Sequence, residues 1–134
     1  MNTLTESPAI AEAGSQYNVC AKNCPARLIF ARLADKWALL IVKTLKQEPH
    51  RFNQLRREIE GISQKALSQT LQKLERDGLV NRQAFPTVPV TVEYSLTDLG
   101  TTLSELIDPL VVWSETHIEQ VVYAQHHYDA RNAA

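Results

Sequence analysis

The sequence predicts a mainly α domain of the α+β type, four helices followed by two strands and one long last helix. Three observations carry this reading. Apolar residues recur at three- and four-residue spacing in successive windows, each bounded by residues that cap or break helices. Between Val80 and Leu96 the spacing falls to two, the period of a half-buried strand. The chain has 134 residues, 44% apolar and 22% charged, which suits a single globular domain able to bury its own core.

Residues 1–19 are rich in Ser, Thr, Ala, Pro and Gly without apolar period, and a flexible tail is expected there, with one domain over residues 20–134. Pro25 suits a first helical turn, and Ile29, Phe30 and Leu33 continue a helical stripe to about Leu33. Asp35 then caps a second helix in which Trp37, Leu40, Ile41, Thr44 and Leu45 share one face, and Pro49 stops it. A third helix is expected over about Phe52 to Glu60, with Phe52, Leu55 and Ile59 inward, Asn53, Arg56 and Arg57 outward, and Gly61 as a left-handed cap. The fourth starts at Ser63 and ends at Gly78, whose follower Leu79 can meet Leu74. Leu67, Leu71 and Leu74 form its buried stripe. Lys65, Ser68, Gln69 and Gln72 form the opposite one, made of side chains that donate or accept hydrogen bonds and carry no negative charge.

Val80–Phe85 and Val90–Leu96 read as two strands, the second alternating Val90, Val92, Tyr94 and Leu96 with Thr91, Glu93 and Ser95. Pro86 and Pro89 bracket a short, stiff tip. Thr97 caps a helix over about residues 97–127, where Leu99, Leu103, Leu106, Leu110, Trp113 and His117 alternate spacings of four and three; Pro109 is expected to kink it. This order of elements describes a winged helix-turn-helix, with the third and fourth helices as the pair that meets DNA and a two-stranded wing behind them, residues 52–96 in all. The first and last helices carry more apolar stripe than one small core can cover. They are read as dimerisation helices through Ile29, Phe30, Leu33, Leu103, Leu106, Leu110 and Trp113.

Charge supports the division. Residues 43–86 hold nine Lys or Arg against five acids, whereas residues 87–134 hold one against seven, although the whole chain sums to −1. A basic patch, not the total, is what a nucleic acid responds to. The candidate contacts are Arg56, Arg57, Ser63, Gln64, Lys65, Ser68, Gln69, Gln72, Lys73 and Arg82.

The sequence resembles the HxlR family of bacterial transcriptional regulators, relatives of the MarR-like winged-helix dimers, over residues 24 to about 118. The likeness rests on Cys24-Pro25, Asp35-Lys36-Trp37, Arg51-Phe52-Asn53-Gln54-Leu55-Arg56, Gly61-Ile62-Ser63, Leu67-Ser68-Gln69, Leu71, Leu74-Glu75, Asp77-Gly78-Leu79-Val80, Arg82, Val92-Glu93-Tyr94-Ser95-Leu96-Thr97 and Leu99-Gly100. It implies a homodimer on a palindromic operator, the fourth helix of each subunit in the major groove and the wing against the minor groove, with Ser63, Lys65, Ser68 and Gln69 toward DNA. Two departures matter. Thr70 stands where the family commonly has Arg, and Val90-Thr91 where it commonly has Pro-Arg. The second leaves the wing without its basic group, so affinity is expected to lean on Lys65, Arg56, Arg57, Lys73 and Arg82.

Cys24 matches a family position that senses oxidants or electrophiles in several members, and a helix N-terminus favours thiolate. Cys20 lies outside the pattern; it could resolve a sulfenic acid on Cys24, or each thiol could pair across the dimer. Two inert thiols are the competing reading. Zinc on Cys20 and Cys24 would need further ligands that the spacing of His50, His117, His126 and His127 does not offer, so no metal and no cofactor are expected. Trp37 and Trp113 read as core or dimer anchors. No nucleophile triad, phosphate-binding glycine loop or paired carboxylates point to an enzyme. The other function to weigh is a winged-helix protein-interaction module without DNA affinity. The start lacks the basic and apolar regions of a secretory signal and no apolar run reaches membrane length, so a cytoplasmic regulator, acting as a repressor released by an oxidant, electrophile or other small molecule, is expected.

Overall fold

A computed structural model of the chain describes residues 16–133. Along them run α1 (Pro25–Arg32), α2 (Lys36–Leu45), β1 (His50–Arg51), α3 (Phe52–Glu58), α4 (Gln64–Arg76), β2 (Val80–Phe85), β3 (Thr91–Leu96) and α5 (Asp98–Asn132). The tail expected over residues 1–19 falls outside the described residues up to residue 15. Three helix starts are capped by the expected side chains: the Asp35 carboxylate accepts from Trp37 N–H at 2.9 Å, Ser63 Oγ from Ala66 N–H at 3.0 Å, and Thr97 Oγ1 from Gly100 N–H at 2.9 Å. The end of α4 is as sharply made. Gly78 takes φ +78°, its N–H donates to Glu75 O at 3.0 Å, and Leu79 N–H donates to Leu74 O at 2.9 Å. These two bonds satisfy carbonyls that a helix end would otherwise leave to water.

The core forms where the inner faces meet: Ala38, Ile41, Val42 and Leu45 of α2, Leu55 of α3 with Ile59 after it, Leu67, Leu71 and Leu74 of α4, then Leu79, Val80 and Ile107. Each fully buried Leu or Ile contributes about 1.5–3 kcal/mol, so the helix-turn-helix owes its rigidity to α2, the helix behind both of its members.

Several expectations change. The sheet is three-stranded, in the order β1-β3-β2, because His50 and Arg51 pair antiparallel with Tyr94 and Glu93. Two residues are too few to show a period, so this strand has no sequence signal. β3 begins at Thr91, and Val90 stays outside it. All six β3 residues are half-buried, so the expected alternation of faces is absent, as fits a central strand flanked on both edges. α3 ends at Glu58; Gly61, at φ +90°, serves the turn into α4. α5 runs to Asn132, beyond 127, with Pro109 inside it as expected.

The sequence left open which face of α5 meets the core. Gly100, Ser104 and Ile107 are buried, at i, i+4 and i+7, whereas Leu106, Leu110 and Trp113 are half or more exposed. Leu103, read as a dimer residue, packs half-buried on the subunit's own core. The true inner face was hidden because Gly and Ser do not count as apolar. Gly100 is small for a reason: a Cβ there would lie 2.1 Å from the Leu79 carbonyl oxygen. Gly100→Ala should therefore lower stability by about 1–3 kcal/mol in urea unfolding, despite the better helix propensity of alanine.

Candidate nucleic-acid interface

The surface that could receive DNA is built on α4. Its apolar stripe is sunk in the core, which turns Lys65, Gln69, Gln72 and Lys73 outward; Ser68 is half-buried beside them. Thr70, the departure from the family pattern, is buried, so the exchange bears on packing and not on the outward strip. Gln69, Gln72, Lys73 and Arg76 line one shallow groove along the last turns. Arg76 extends the i, i+3, i+4, i+7 series by one step and was missed, although its spacing could have found it. Ser63 and Gln64 are exposed at the other end, and the Ser63 hydroxyl, while capping the helix, keeps its proton free to donate.

Arg56 and Arg57 are exposed on α3. Arg57 lines a second cleft at the root of the wing with Arg51, Asn53, Gln54, Thr91 and Glu93, whereas Arg56 does not. Arg51 adds an exposed cation to this cleft, one without a sequence signal because it belongs to the two-residue β1. Arg82 is exposed on β2, opposite Tyr94 of β3. The wing tip, residues 86–90, carries no charge, and Val88 is fully exposed there. Thr91 faces Thr87, hydroxyl to hydroxyl, at 3.2 Å. The wing thus offers apolar and hydroxyl surface where the family pattern would have put a cation.

What holds α4 in place is as specific as what it displays. Asp77, the residue that ends it, accepts from Arg32 Nε of α1 at 2.7 Å, with the carboxylate 9% exposed. That hydrogen bond raises the Arg32 pKa above the ordinary arginine range, against a smaller lowering by burial. Thr97, capping α5, donates from Oγ1 to Gly78 O at 2.6 Å and from its N–H to Leu79 O at 3.1 Å. Residues 77, 78 and 79 are therefore gripped from both flanking helices. Buried His50 ties β1 to α3: its Nδ1 donates to Glu48 O at 2.8 Å and its Nε2 sits 3.1 Å from the Glu58 carboxylate. Cys24 is buried at the cap position of α1, and Cys20 is exposed. Among the described residues no three His, Cys, Asp or Glu side chains are grouped to hold a metal, and no helix is long and apolar enough to cross a membrane.

The pattern of the HxlR-like helix-turn-helix family matches residues 32–122. The chain belongs to that family. It is 45% identical over 105 residues to the uncharacterised HTH-type transcriptional regulator YtfH of Escherichia coli, covering 78% of this chain and 83% of the relative. Among solved structures it is similar to the transcriptional regulator ytfH from Salmonella typhimurium, at a TM-score of 0.76 and 41% identity over 82% of this chain and 98% of that one. It is also similar to the redox regulator HypR in its oxidised form, at a TM-score of 0.65 and 34% identity over 69% and 96%. This HxlR-like protein is a DNA-binding transcriptional regulator with a winged helix-turn-helix fold, and not an enzyme.

Proposed function

We propose that this HxlR-like regulator works in the cytoplasm as a homodimeric repressor on a palindromic operator and lets go in response to an oxidant, an electrophile or another small molecule. The observation that carries the DNA half is the outward strip of α4, Lys65, Ser68, Gln69 and Gln72, free of carboxylates and capped at both ends. In this reading Lys65, Ser63, Gln64, Lys73, Arg56, Arg57 and Arg82 hold phosphates, and Gln69 reads a base, since a glutamine can pair bidentately with adenine. A protein-interaction module would not need a strip that lacks negative charge.

The dimer half is supported by apolar surface that the subunit leaves uncovered. Phe30 is 66% exposed on α1, and Leu106, Leu110, Val112 and Trp113 stand open along α5 with Ile118 beyond. Such a surface belongs to an interface more often than to solvent. Ile29 is exposed on α1 and Leu33 half-buried at its end, whereas Leu103 serves the core. Pairing through these helices would set two copies of α4 about one DNA turn, roughly 34–36 Å, apart. The redox half rests on Cys24, at the N-terminus of the helix that also grips Asp77, and on the likeness to a redox regulator. Oxidation there would act on α1 first and on α4 through Arg32.

Three outcomes are expected. Lys65→Ala should weaken operator and random DNA alike, with a shallower salt dependence, whereas Gln69→Ala should relax preference at one base pair per half-site at a cost on the order of 1–3 kcal/mol; a uniform loss from both, measured by titration against operator variants, would contradict these roles. Leu106→Glu, at an exposed position, should sediment as a folded monomer that has lost operator binding. Diamide should release wild type and Cys20→Ser from the operator, reversibly with dithiothreitol, and leave Cys24→Ser bound; a Cys24→Ser protein that still responds would move the switch elsewhere.

A further inference from the structure

A cleft of about 590 Å³ lies between α1 and the last turns of α4. Its α1 wall is aliphatic and uncovered: Leu28 is 75% exposed and Ile29 is 42% exposed. Its α4 wall is Lys73 and Arg76, both exposed and neither in an ion pair among the described residues. The other charges that line it are already used. Arg32 and Asp77 answer each other across it, and the Asp35 carboxylate caps α2.

Two unanswered cations opposite a bare aliphatic wall define a ligand by chemistry. An inorganic anion would leave Leu28 in water, and a neutral hydrocarbon would leave the cations without a partner; an anion with an apolar body satisfies both walls. We propose that this cleft binds a small amphipathic organic anion, its carboxylate on Lys73 and Arg76 and its ring or chain along Leu28. The site shares Ile29 with the edge of the dimer stripe but not Phe30, which lies on the opposite side of α1 from Leu28. It does compete with DNA. Lys73 and Arg76 also line the groove beside Gln69 and Gln72, so a bound carboxylate draws on cations that phosphates would use. This names a ligand class for the small-molecule signal; the effect on DNA rests on the function proposed above, whereas binding to the cleft does not.

The test is calorimetric titration of the full chain, free of DNA, with 2-naphthoate. One saturable site per chain is expected, and neutral 2-naphthol should bind weaker by about tenfold or more. Leu28→Ser and the double variant Lys73→Gln, Arg76→Gln should each lose affinity by a similar factor, and Val88→Gln on the wing tip should not. All these positions are exposed, and circular dichroism is the check that each variant is folded. Absence of saturable binding, indifference to the cleft variants, or loss in Val88→Gln would overturn the site. With the site established, saturating 2-naphthoate should lower operator affinity of wild type but not of Leu28→Ser; an unchanged wild-type affinity would overturn its coupling to DNA.

Discussion

The fold turns on the grip that two flanking helices have on three consecutive residues at the end of α4. Asp77 is held by Arg32 of α1, and Gly78 and Leu79 give their carbonyls to Thr97 at the start of α5. The contact allows little slack. Gly78 alone among its neighbours can adopt the left-handed turn that presents those carbonyls, and Gly100 has no Cβ because the Leu79 oxygen occupies that space. The helices at this junction are the same two that leave apolar surface uncovered, so whatever fixes α1 and α5 also fixes where α4 points.

This arrangement separates two tasks that a small domain might otherwise confuse. The core around Ile41, Val42, Leu55, Leu67 and Leu71 settles the internal geometry of the helix-turn-helix. The junction settles the position of that rigid unit relative to α1 and α5. A ligand in the α1/α4 cleft, or a changed thiol at Cys24, as proposed, would act on the second and not on the first. Regulation through position costs little stability, since the contacts that change are a few polar bonds at one helix end and not buried apolar area.

Much of this could be read in the sequence, and what could not has identifiable physical causes. Asp35, Ser63, Thr97 and Gly78 announce helix ends because each supplies a hydrogen bond or a backbone angle at a fixed offset, and all four act as expected. The buried leucines of α4 were legible for the same reason that its outward strip was: a period of three and four leaves only one side for each. β1 was illegible because two residues carry no period, and its buried His50, satisfied by Glu48 and Glu58, looks polar in sequence. The inner face of α5 was illegible because close approach selects Gly and Ser, whereas a search for apolar stripes finds Leu106 and Trp113, which face away. Arg32 to Asp77, 45 residues apart, has no local trace at all.

The claim that the junction sets the position of the DNA-reading helices is tested most directly by the distance between them. Spin labels on Gln72→Cys in each subunit, in a Cys20→Ser, Cys24→Ser background, give that distance by pulsed electron resonance. The account predicts one narrow distribution, of the order of the DNA repeat, about 34–36 Å plus the label arms. It further predicts that Arg32→Met, still folded and dimeric, broadens or displaces that distribution. A distribution that Arg32→Met leaves unchanged would contradict it.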